Sequence, residues 1–351
     1  MNDTDSTIDK LNNLYLLDDI NCSITKRIEN QRLNLINIIN NSFLKETVDL
    51  SKINDAYNAA NKCIEEYLKG HTANAIKEID IFFKSENNSK LYLKNVPFSN
   101  PGDLSAFRMR SSDFYELYSK EEMMHIPEGK RFRVGNQRFS VSGFPCLYLG
   151  SSIYCCWEEL NRPDIEKFNV VKIQNKRLLK CIDLTLPYFD RENIKDCNNI
   201  YKIILPLLCS LKVQHKDGVF KEEYIIPQAF LSLMITYRKR SNTEMYDLMG
   251  LHAIKYTSTI YNTNKDMFKQ KELMTNYVIP ILGEEFKNGL CKYIVENYEI
   301  TEVTSPTNER VRTPFYKPIN KKETEVNTLY NNTEFGILED RLKLSSFNTL
   351  V

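Results

Sequence analysis

The spacing of apolar residues changes near residue 100, and this change limits the folds that the chain can adopt. From Ile53 to Leu68, apolar side chains recur at steps of three and four residues, which is typical of an amphipathic helix. From Phe107 onward, short β-like runs alternate with helical stretches. The runs are PCLYL, FNVVKI, LLKCIDL, EYIIP and HAIKYTST, and helices are expected near residues 151–161, 192–212 and 228–239.

We therefore predict an α+β fold, in which a mixed β core is surrounded by helices and is preceded by a helical region at residues 1–95. Gly70 is expected to end one N-terminal helix and Thr72 to cap the next. The segment NVPFSNPGD contains the Pro and Gly residues typical of a boundary. The N-terminal helices either pack as a structural element or form a module that binds a partner or regulates the rest of the chain.

Charge and composition argue against several classes of protein. The chain has 351 residues with 47 basic and 46 acidic side chains, so it lacks the concentrated positive charge of a nucleic-acid-binding protein. It shows no signal peptide and no run of roughly 20 apolar residues, so no membrane association is expected. The nine cysteines and four histidines lack metal-site spacing. We expect reduced thiols, a cytoplasmic location and no metal.

Motifs of the common nucleotide and hydrolase sites are also missing from the sequence. There is no GxxxxGK[ST] phosphate loop, no GxGxxG after a strand, no GxSxG elbow and no HExxH.

The segment RFSVSGFPCLYLGSSIYCCWEEL, residues 138–160, combines a strand, a turn and a helix. CLYL is predicted to be a short strand, after which Gly150 turns the chain. Either Ser151 or Ser152 is expected to cap a helix that begins near Ile153. A following proline is expected to end that helix.

Three polar side chains are distributed over this unit. Arg138 precedes the strand, Tyr148 lies near its end, and Glu159 lies about two turns into the helix. Because Ser152, Cys156 and Glu159 are spaced by four and three, they share one helical face. If that face borders a cleft, the glutamate and the tyrosine can meet a common ligand. A surface glutamate and a core tyrosine would fit the same spacing.

As a set, these residues resemble the central motif of the RES domain family, which is named for arginine, glutamate and serine. The family's motif consists of an arginine, a loop with glycine, a tyrosine at the end of a strand and a glutamate eleven residues beyond that tyrosine. The matching residues here are Arg138, Gly143, Tyr148 and Glu159. The neighbouring Glu158 is the alternative to Glu159, and the spacing from Tyr148 favours Glu159.

Other segments extend the resemblance. FRMR resembles an arginine-containing stretch near the start of the family's domain, with Arg108 as the closer equivalent and Arg110 as its neighbour. EYIIPQ, HAIKYTST and NYVIP resemble later segments of the family. The resemblance therefore implies a catalytic domain at residues 105–285, followed by a partly irregular C-terminal extension at 286–351.

The serine of the family's name has two candidate counterparts. In the family it follows a proline at the end of a late strand, and the corresponding stretch here is Pro227–Gln228. Gln228 would then replace the serine, with an amide that still donates and accepts hydrogen bonds. Ser258 in KYTST is the other candidate.

The resemblance implies a fold similar to that of ADP-ribosyltransferase toxins and NAD as the substrate. Many family members are toxins of bacterial toxin–antitoxin pairs that deplete cellular NAD, which implies an antitoxin protein as a partner. In that chemistry a carboxylate stabilises the cation that develops on the ribose, an aromatic ring stacks on nicotinamide, and arginines contact the pyrophosphate. The implied catalytic residues are Glu159, Tyr148 and Arg138, and the implied NAD-binding residues are Arg108, Arg110, Tyr148 and Gln228.

Three functions remain compatible with the sequence. The first is an NAD-cleaving enzyme, a glycohydrolase or phosphorylase that transfers the ADP-ribosyl group to water or phosphate. The second is an ADP-ribosyltransferase that modifies a macromolecule after the same first step. The third is a non-catalytic RES-like binding module, in which the change at Gln228 marks a lost activity.

Overall fold

The structure is a computed structural model that describes residues 3–84, 88, 91–92, 98–113, 116–239, 251–260, 273–281, 287–312, 330 and 333–349. The chain divides into two compact units, and neither is continuous in sequence. Unit 1 consists of Met1–Pro97, Gly135–Ser142 and Ile182–Leu251, and unit 2 of Phe98–Val134, Gly143–Cys181 and His252–Val351. Residues 135–142 and 182–251, which the sequence placed within the segment 105–285, thus belong to the same unit as the N-terminal helices.

The predicted α+β class and the N-terminal helical region are confirmed. In chain order the α-helices of the described residues are α1 (Asp3–Asn12), α2 (Ile24–Asn40), α3 (Leu50–Leu68), α4 (Thr72–Lys84), α5 (Ile153–Glu159), α6 (Cys197–Lys202), α7 (Ile204–Cys209), α8 (Ile225–Lys239), α9 (Lys292–Asn297), α10 (Pro306–Arg312) and α11 (Glu334–Leu344). None of them is long and apolar enough to cross a membrane.

Unit 1 buries the apolar stripe that the sequence predicted in its N-terminal half. Ile53, Tyr57 and Ile64 of α3 are almost fully buried. Helix α8 packs against both α3 and α4, and the rings of Phe83 and Phe230 lie 5.2 Å apart. The stripe is therefore covered within unit 1, as expected for a structural packing element, except at its last residue, Leu68, which is about half exposed.

The strand predicted for EYIIP is wrong. Residues 222–224 form a short 3-10 turn, and α8 begins at Ile225. A short apolar run fits a strand or a buried helix equally well, and packing decides between them. Here Ile226, Phe230 and Leu233 are all buried in a helix, because α8 is covered by neighbouring helices of unit 1.

An ion cluster is buried inside unit 1. The guanidinium of Arg27 donates to both carboxylate oxygens of Asp18 at 2.7 Å, to Glu223 Oε1 at 2.8 Å and to the Lys212 carbonyl at 2.6 Å. Burial opposes the charge on Arg27, but the hydrogen bonds and charges of Asp18 and then of Glu223 outweigh it and raise its pKa. The cation therefore stays charged between two carboxylates that are themselves buried.

The strands form one sheet within the described part of the chain. They are β1 (Phe98–Ser99), β2 (Ser105–Ser111), β3 (Cys146–Gly150), β4 (Phe168–Asn175), β5 (Leu179–Leu184), β6 (Leu251–Thr257), β7 (Thr275–Pro280) and β8 (Tyr298–Ile300). Their order is β1-β5-β6-β7-β3-β2-β4-β8. The strands predicted from PCLYL, FNVVKI, LLKCIDL and HAIKYTST are confirmed as β3, β4, β5 and β6.

Residues beyond 285 also contribute to unit 2. Strand β8 pairs with β4 in antiparallel register, with Ile173 opposite Ile300. Helix α11 adds Leu338 and Leu342 to a buried apolar cluster. The described part of the C-terminal segment 286–351 therefore supplies a strand and a helix to the core of this unit.

The two faces of the sheet are covered by different apolar clusters. Face A carries Ala106 of β2 and Leu104, which directly precedes β2, together with Leu147 and Leu149 of β3. Face B carries Phe107 and Met109 of β2, which pack against α5 and α11. The buried apolar cluster on this face consists of Phe107, Met109, Ile153, Cys156, Phe168, Val170, Leu338 and Leu342. Because side chains alternate along a strand, each strand residue can be assigned to one face.

Gly150 connects β3 to α5 at a point of close approach. A Cβ atom built there would lie 2.7 Å from Cys156 Sγ and 3.1 Å from the Ser152 carbonyl oxygen. We expect Gly150→Ala to destabilise the protein by about 1–3 kcal/mol, because the helix must shift to make room. Urea unfolding measures the change.

Two variants control for this cause. Gly129→Ala meets no atom within 4 Å and has an ordinary backbone conformation, so its unfolding midpoint should be close to that of the wild type. In a Cys156→Ala background, which removes the sulfur, Gly150→Ala should lose part of its effect. Equal destabilisation in both backgrounds would exclude the sulfur contact as the cause.

His125 of unit 2 is buried as a neutral ring. Nε2 accepts a hydrogen bond from the Cys291 backbone N–H at 2.9 Å, so Nδ1 is the nitrogen that donates to the Ile126 carbonyl, also at 2.9 Å. Burial, and to a lesser extent the charge of Arg108, lower the pKa of His125 below its usual value.

The lowered pKa predicts an acid-sensitive contribution to stability. Below about pH 6.5 the unfolded chain takes up a proton at His125 that the folded chain excludes, so the contribution present at pH 7 is lost as the pH falls. The loss is at most about 1.4 kcal/mol per pH unit. The gap in unfolding free energy between wild type and His125→Gln should therefore narrow between pH 7 and pH 5. A gap of constant size would contradict the assignment.

Candidate functional site

Helix α5 is fixed on face B by its N-cap, as the sequence predicted. The Ser152 hydroxyl accepts from the Cys155 backbone N–H at 2.9 Å and donates to the Leu273 carbonyl at 2.6 Å. The helix begins at Ile153, and Ser152 is fully buried. The start and the direction of the helix are thereby fixed, which places Glu159 in its last turn.

The Glu159 carboxylate is held by two side chains from other elements of unit 2. The Ser258 hydroxyl, directly after β6, donates to Glu159 Oε1 at 2.7 Å. The Asn276 amide, in β7, donates to the same oxygen at 2.5 Å. Ser258 and Asn276 are buried, whereas Glu159 is partly exposed. The result is a carboxylate oriented by two hydrogen bonds, on a residue that is partly exposed.

Glu158 has a different environment. It is buried, and its Oε2 accepts from Arg162 Nε at 3.0 Å. Arg162 lies three residues beyond the last residue of α5, so this ion pair is a local contact. Of the two adjacent glutamates, Glu159 is therefore the one whose carboxylate is held by side chains distant in the chain.

Tyr148 lies on the same face of the sheet as Asn276. Tyr148 alternates with Leu147 and Leu149 of face A, so its side chain belongs to face B. In the register of β3 and β7, Tyr148 is opposite Val278 and Gly150 is opposite Asn276. Tyr148 and Asn276 are thus diagonal neighbours, which lie about 7–8 Å apart in antiparallel sheets. The structure brings Tyr148, Glu159, Ser258 and Asn276 to one region of unit 2.

Arg108 and Arg110 lie on the opposite face of the sheet. They follow Ala106 along β2 and so belong to face A. Arg108 donates to the Tyr148 carbonyl at 2.9 Å, and Arg110 lies over the Tyr118 ring at 4.6 Å. The structure does not place either arginine beside Glu159.

The environment of Arg108 is unusual for a cation. Its Nε is buried without a hydrogen-bond partner, and no carboxylate of the described residues pairs with it. Burial, and then the charge of Arg110, lower the pKa of Arg108 from 12.5 to about 10, so it remains charged at neutral pH. The hydrogen bond from Arg108 to the Tyr148 carbonyl ties β2 to β3.

Arg138 and Gln228 both belong to unit 1. Arg138 is buried, donates to the Cys209 carbonyl at 2.9 Å and lies 5.0 Å from the Tyr224 ring centroid. Gln228 Nε2 donates to the carbonyls of Gln137 and Ser140 at 2.8 and 3.3 Å. The amide of Gln228 therefore holds the short segment that carries Arg138, and it lies in a helix where the family serine was expected at a strand end.

The two adjacent cysteines of α5 are not activated nucleophiles. Burial raises the pKa of Cys156 to about 12 and that of Cys155 well above its usual value. Both thiols therefore stay protonated at neutral pH and act as weak donors. Among the described residues, no group of three His, Cys, Asp or Glu side chains could hold a metal ion.

Sequence reasoning missed Asn276 and gave Ser258 second place. Both are distant in the chain from Glu159, by 117 and 99 residues. A signal for Asn276 exists, because its amide directly precedes the apolar run YVIP of the same strand. A buried amide needs hydrogen-bond partners, so its position called for polar neighbours.

Comparison with known proteins gives one informative match. No family model and no solved structure matches the chain. The protein named "Putative toxin YopC" from Bacillus subtilis (strain 168) is 32% identical over 321 residues. The alignment covers 83% of this chain and 68% of that protein, so the similarity extends across both units.

Proposed function

Since the chain belongs to the family of "Putative toxin YopC", we propose that it is a toxin and that it acts by cleaving the nicotinamide–ribose bond of NAD. The toxin role rests on the name of that relative, and the NAD chemistry rests on the resemblance of the segment around Glu159 to the RES motif. The observation that carries the proposal is the Glu159 carboxylate, which is partly exposed and is oriented by Ser258 and Asn276.

The chemistry needs such a carboxylate. When the bond between the ribose C1′ and the nicotinamide nitrogen breaks, nicotinamide leaves with the bonding electron pair and the ribose becomes an oxocarbenium-like cation. A fixed negative charge beside the ribose stabilises that cation without reorganising. Water or inorganic phosphate then attacks C1′ through oxygen, and with water one proton is released to solvent. Glu159 takes the role of the stabilising carboxylate.

Two further residues on face B suit the same ligand. Tyr148 offers an aromatic ring that can stack on the nicotinamide ring. Ser258 is the counterpart that we assign to the family's serine, in place of Gln228, because its hydroxyl contacts the glutamate directly. A protein antitoxin that blocks this site is the partner we expect for such an enzyme.

The proposal is tested in cells that express the chain from an inducible promoter. Induction of the wild type should lower total cellular NAD and arrest growth, and Glu159→Gln should do neither. Glu158→Gln, which keeps the side-chain size at the neighbouring position, should behave like the wild type. Growth arrest with an unchanged NAD pool would support the toxin role but would reject NAD as the target of the toxin.

Arg108 provides a separate test, because the resemblance assigns it to the pyrophosphate whereas the structure places it on face A. We expect Arg108→Ala to weaken NAD and nicotinamide riboside equally, since the lost contact is the one to the Tyr148 backbone. Calorimetry measures both affinities in a Glu159→Gln background, in which cleavage of the ligands is slow. If NAD loses about 1.5–3 kcal/mol more binding free energy than nicotinamide riboside, the value of a hydrogen bond to a charged group, Arg108 would be assigned to the phosphates instead.

A further inference from the structure

Asn276 connects two residues of helix α5 that lie one turn apart. Its Nδ2 donates to Glu159 Oε1 at 2.5 Å, and its Oδ1 lies 3.3 Å from Cys155 Sγ. Cys155 and Glu159 are four residues apart and so project from the same side of the helix. One amide group of β7 therefore contacts both successive turns of α5.

The Cys155 thiol and the Glu159 carboxylate favour the same orientation of the amide. Cys155 is fully buried, and burial raises the pKa of its thiol, so the sulfur carries a hydrogen at neutral pH. The thiol has two acceptors within reach, the Asn276 Oδ1 at 3.3 Å and the Thr275 carbonyl oxygen at 3.7 Å, and the contact with the amide oxygen is the shorter. Within the amide, only the oxygen can accept from the thiol. The NH2 group must then face Glu159, where it donates to the carboxylate. With Asn276 oriented the other way, two acceptors would meet at Glu159, and the NH2 group would face the thiol hydrogen.

We propose that Asn276 is a positioning residue for the Glu159 carboxylate and that Cys155 acts through it by fixing the orientation of the amide. This inference rests on the proposed function, in which Glu159 faces the ribose cation. Asn276 does not touch the substrate. Its effect is to hold one carboxylate oxygen, so that the charge stays in place during bond cleavage.

Substitutions at the two residues give distinct expected results for nicotinamide release. Asn276→Ala should lower kcat by at least about tenfold, because a hydrogen bond to a charged group is lost. Cys155→Ala should lower kcat by about 2-fold to 10-fold, the effect of a neutral hydrogen bond, whereas Cys155→Ser keeps a donor and should retain most of the activity. KM for NAD should stay within about twofold of the wild-type value for all of them.

A double substitution separates positioning from general damage to the fold. If Cys155 acts through Asn276, then adding Cys155→Ala to Asn276→Ala should cause no further loss of kcat. The matched control is Tyr277→Phe in the same strand, on face A, which should turn over NAD like the wild type. Additive losses, or Asn276→Ala within about twofold of wild-type kcat, would overturn the proposal.

A measurement without substrate keeps the inference separate from the proposed function. In protein labelled with carbon-13 glutamate, the Glu159 carboxyl signal is identified by its absence in Glu159→Gln. Asn276→Ala and Cys155→Ala should both change the chemical shift of that signal, and Cys155→Ser should leave the chemical shift unchanged. If the signal moves but the wild type releases no nicotinamide, the proposed function fails while the positioning stands. An unmoved signal in Asn276→Ala rejects the positioning in either case.

Discussion

Glu159→Gln is expected to slow nicotinamide release from NAD by about 100-fold to 1,000-fold, the usual effect of losing one well-placed electrostatic stabiliser. Glutamine keeps the shape of the side chain, and its amide oxygen can still accept from Ser258 and Asn276. What it removes is the negative charge that faces the ribose cation. Single-turnover kinetics with radiolabelled NAD measures the change in the chemical step.

The matched control for this prediction lies next to it in the helix. Glu158→Gln makes the same chemical change in a side chain that is buried and paired with Arg162. Its turnover should be close to that of the wild type, although its stability should fall. If Glu158→Gln is the slow variant and Glu159→Gln is not, the site is built on the wrong glutamate.

Arg27→Ala is expected to destabilise the folded chain by about 3–5 kcal/mol, because it leaves two buried carboxylates without their cation. Asp18 and Glu223 both lose their contact with the guanidinium, and both remain enclosed in unit 1. A loss of this size is a large fraction of the stability of a typical domain, which is about 5–15 kcal/mol. Urea unfolding at pH 7, followed by circular dichroism, measures it.

Arg32 on the same helix provides the comparison. It pairs with Glu29 at 2.5 Å in a contact that is partly exposed to solvent. Exposed pairs of this kind contribute about 0–1 kcal/mol, so Arg32→Ala should change the unfolding midpoint little. Equal losses of unfolding free energy in Arg27→Ala and Arg32→Ala would show that the buried ion cluster contributes no more to stability than the partly exposed pair.

Features with local causes were predictable from the sequence. Helix α5 begins at Ile153 because Ser152 caps it, and α3 ends where Gly70 adopts the left-handed backbone conformation. Both helix ends depend on residues within a few positions of each other, so they can be recognised in the sequence without knowledge of the fold. The choice of Glu159 over Glu158 came from the resemblance to the RES motif, in which the glutamate follows the tyrosine by eleven residues.

Features that depend on distant residues were not predictable. EYIIP is apolar enough for a strand, and it becomes part of helix α8 because α3 and α4, more than 100 residues earlier, cover it. The partners of Glu159 come from strands 99 and 117 residues away. No local pattern shows that Ser258 meets Glu159, whereas Gln228 holds a different segment in unit 1.

The central claim is that the chain cleaves NAD, and the most direct test is chromatography of NAD incubated with the purified full-length protein. The proposal predicts that nicotinamide accumulates together with an equal amount of ADP-ribose in phosphate-free buffer, or of ADP-ribose 1-phosphate when phosphate is the acceptor. Glu159→Gln, purified in parallel, should give only the slow background expected of it. If wild-type protein leaves NAD intact over hours at enzyme concentrations near that of the substrate, NAD cleavage is not its activity.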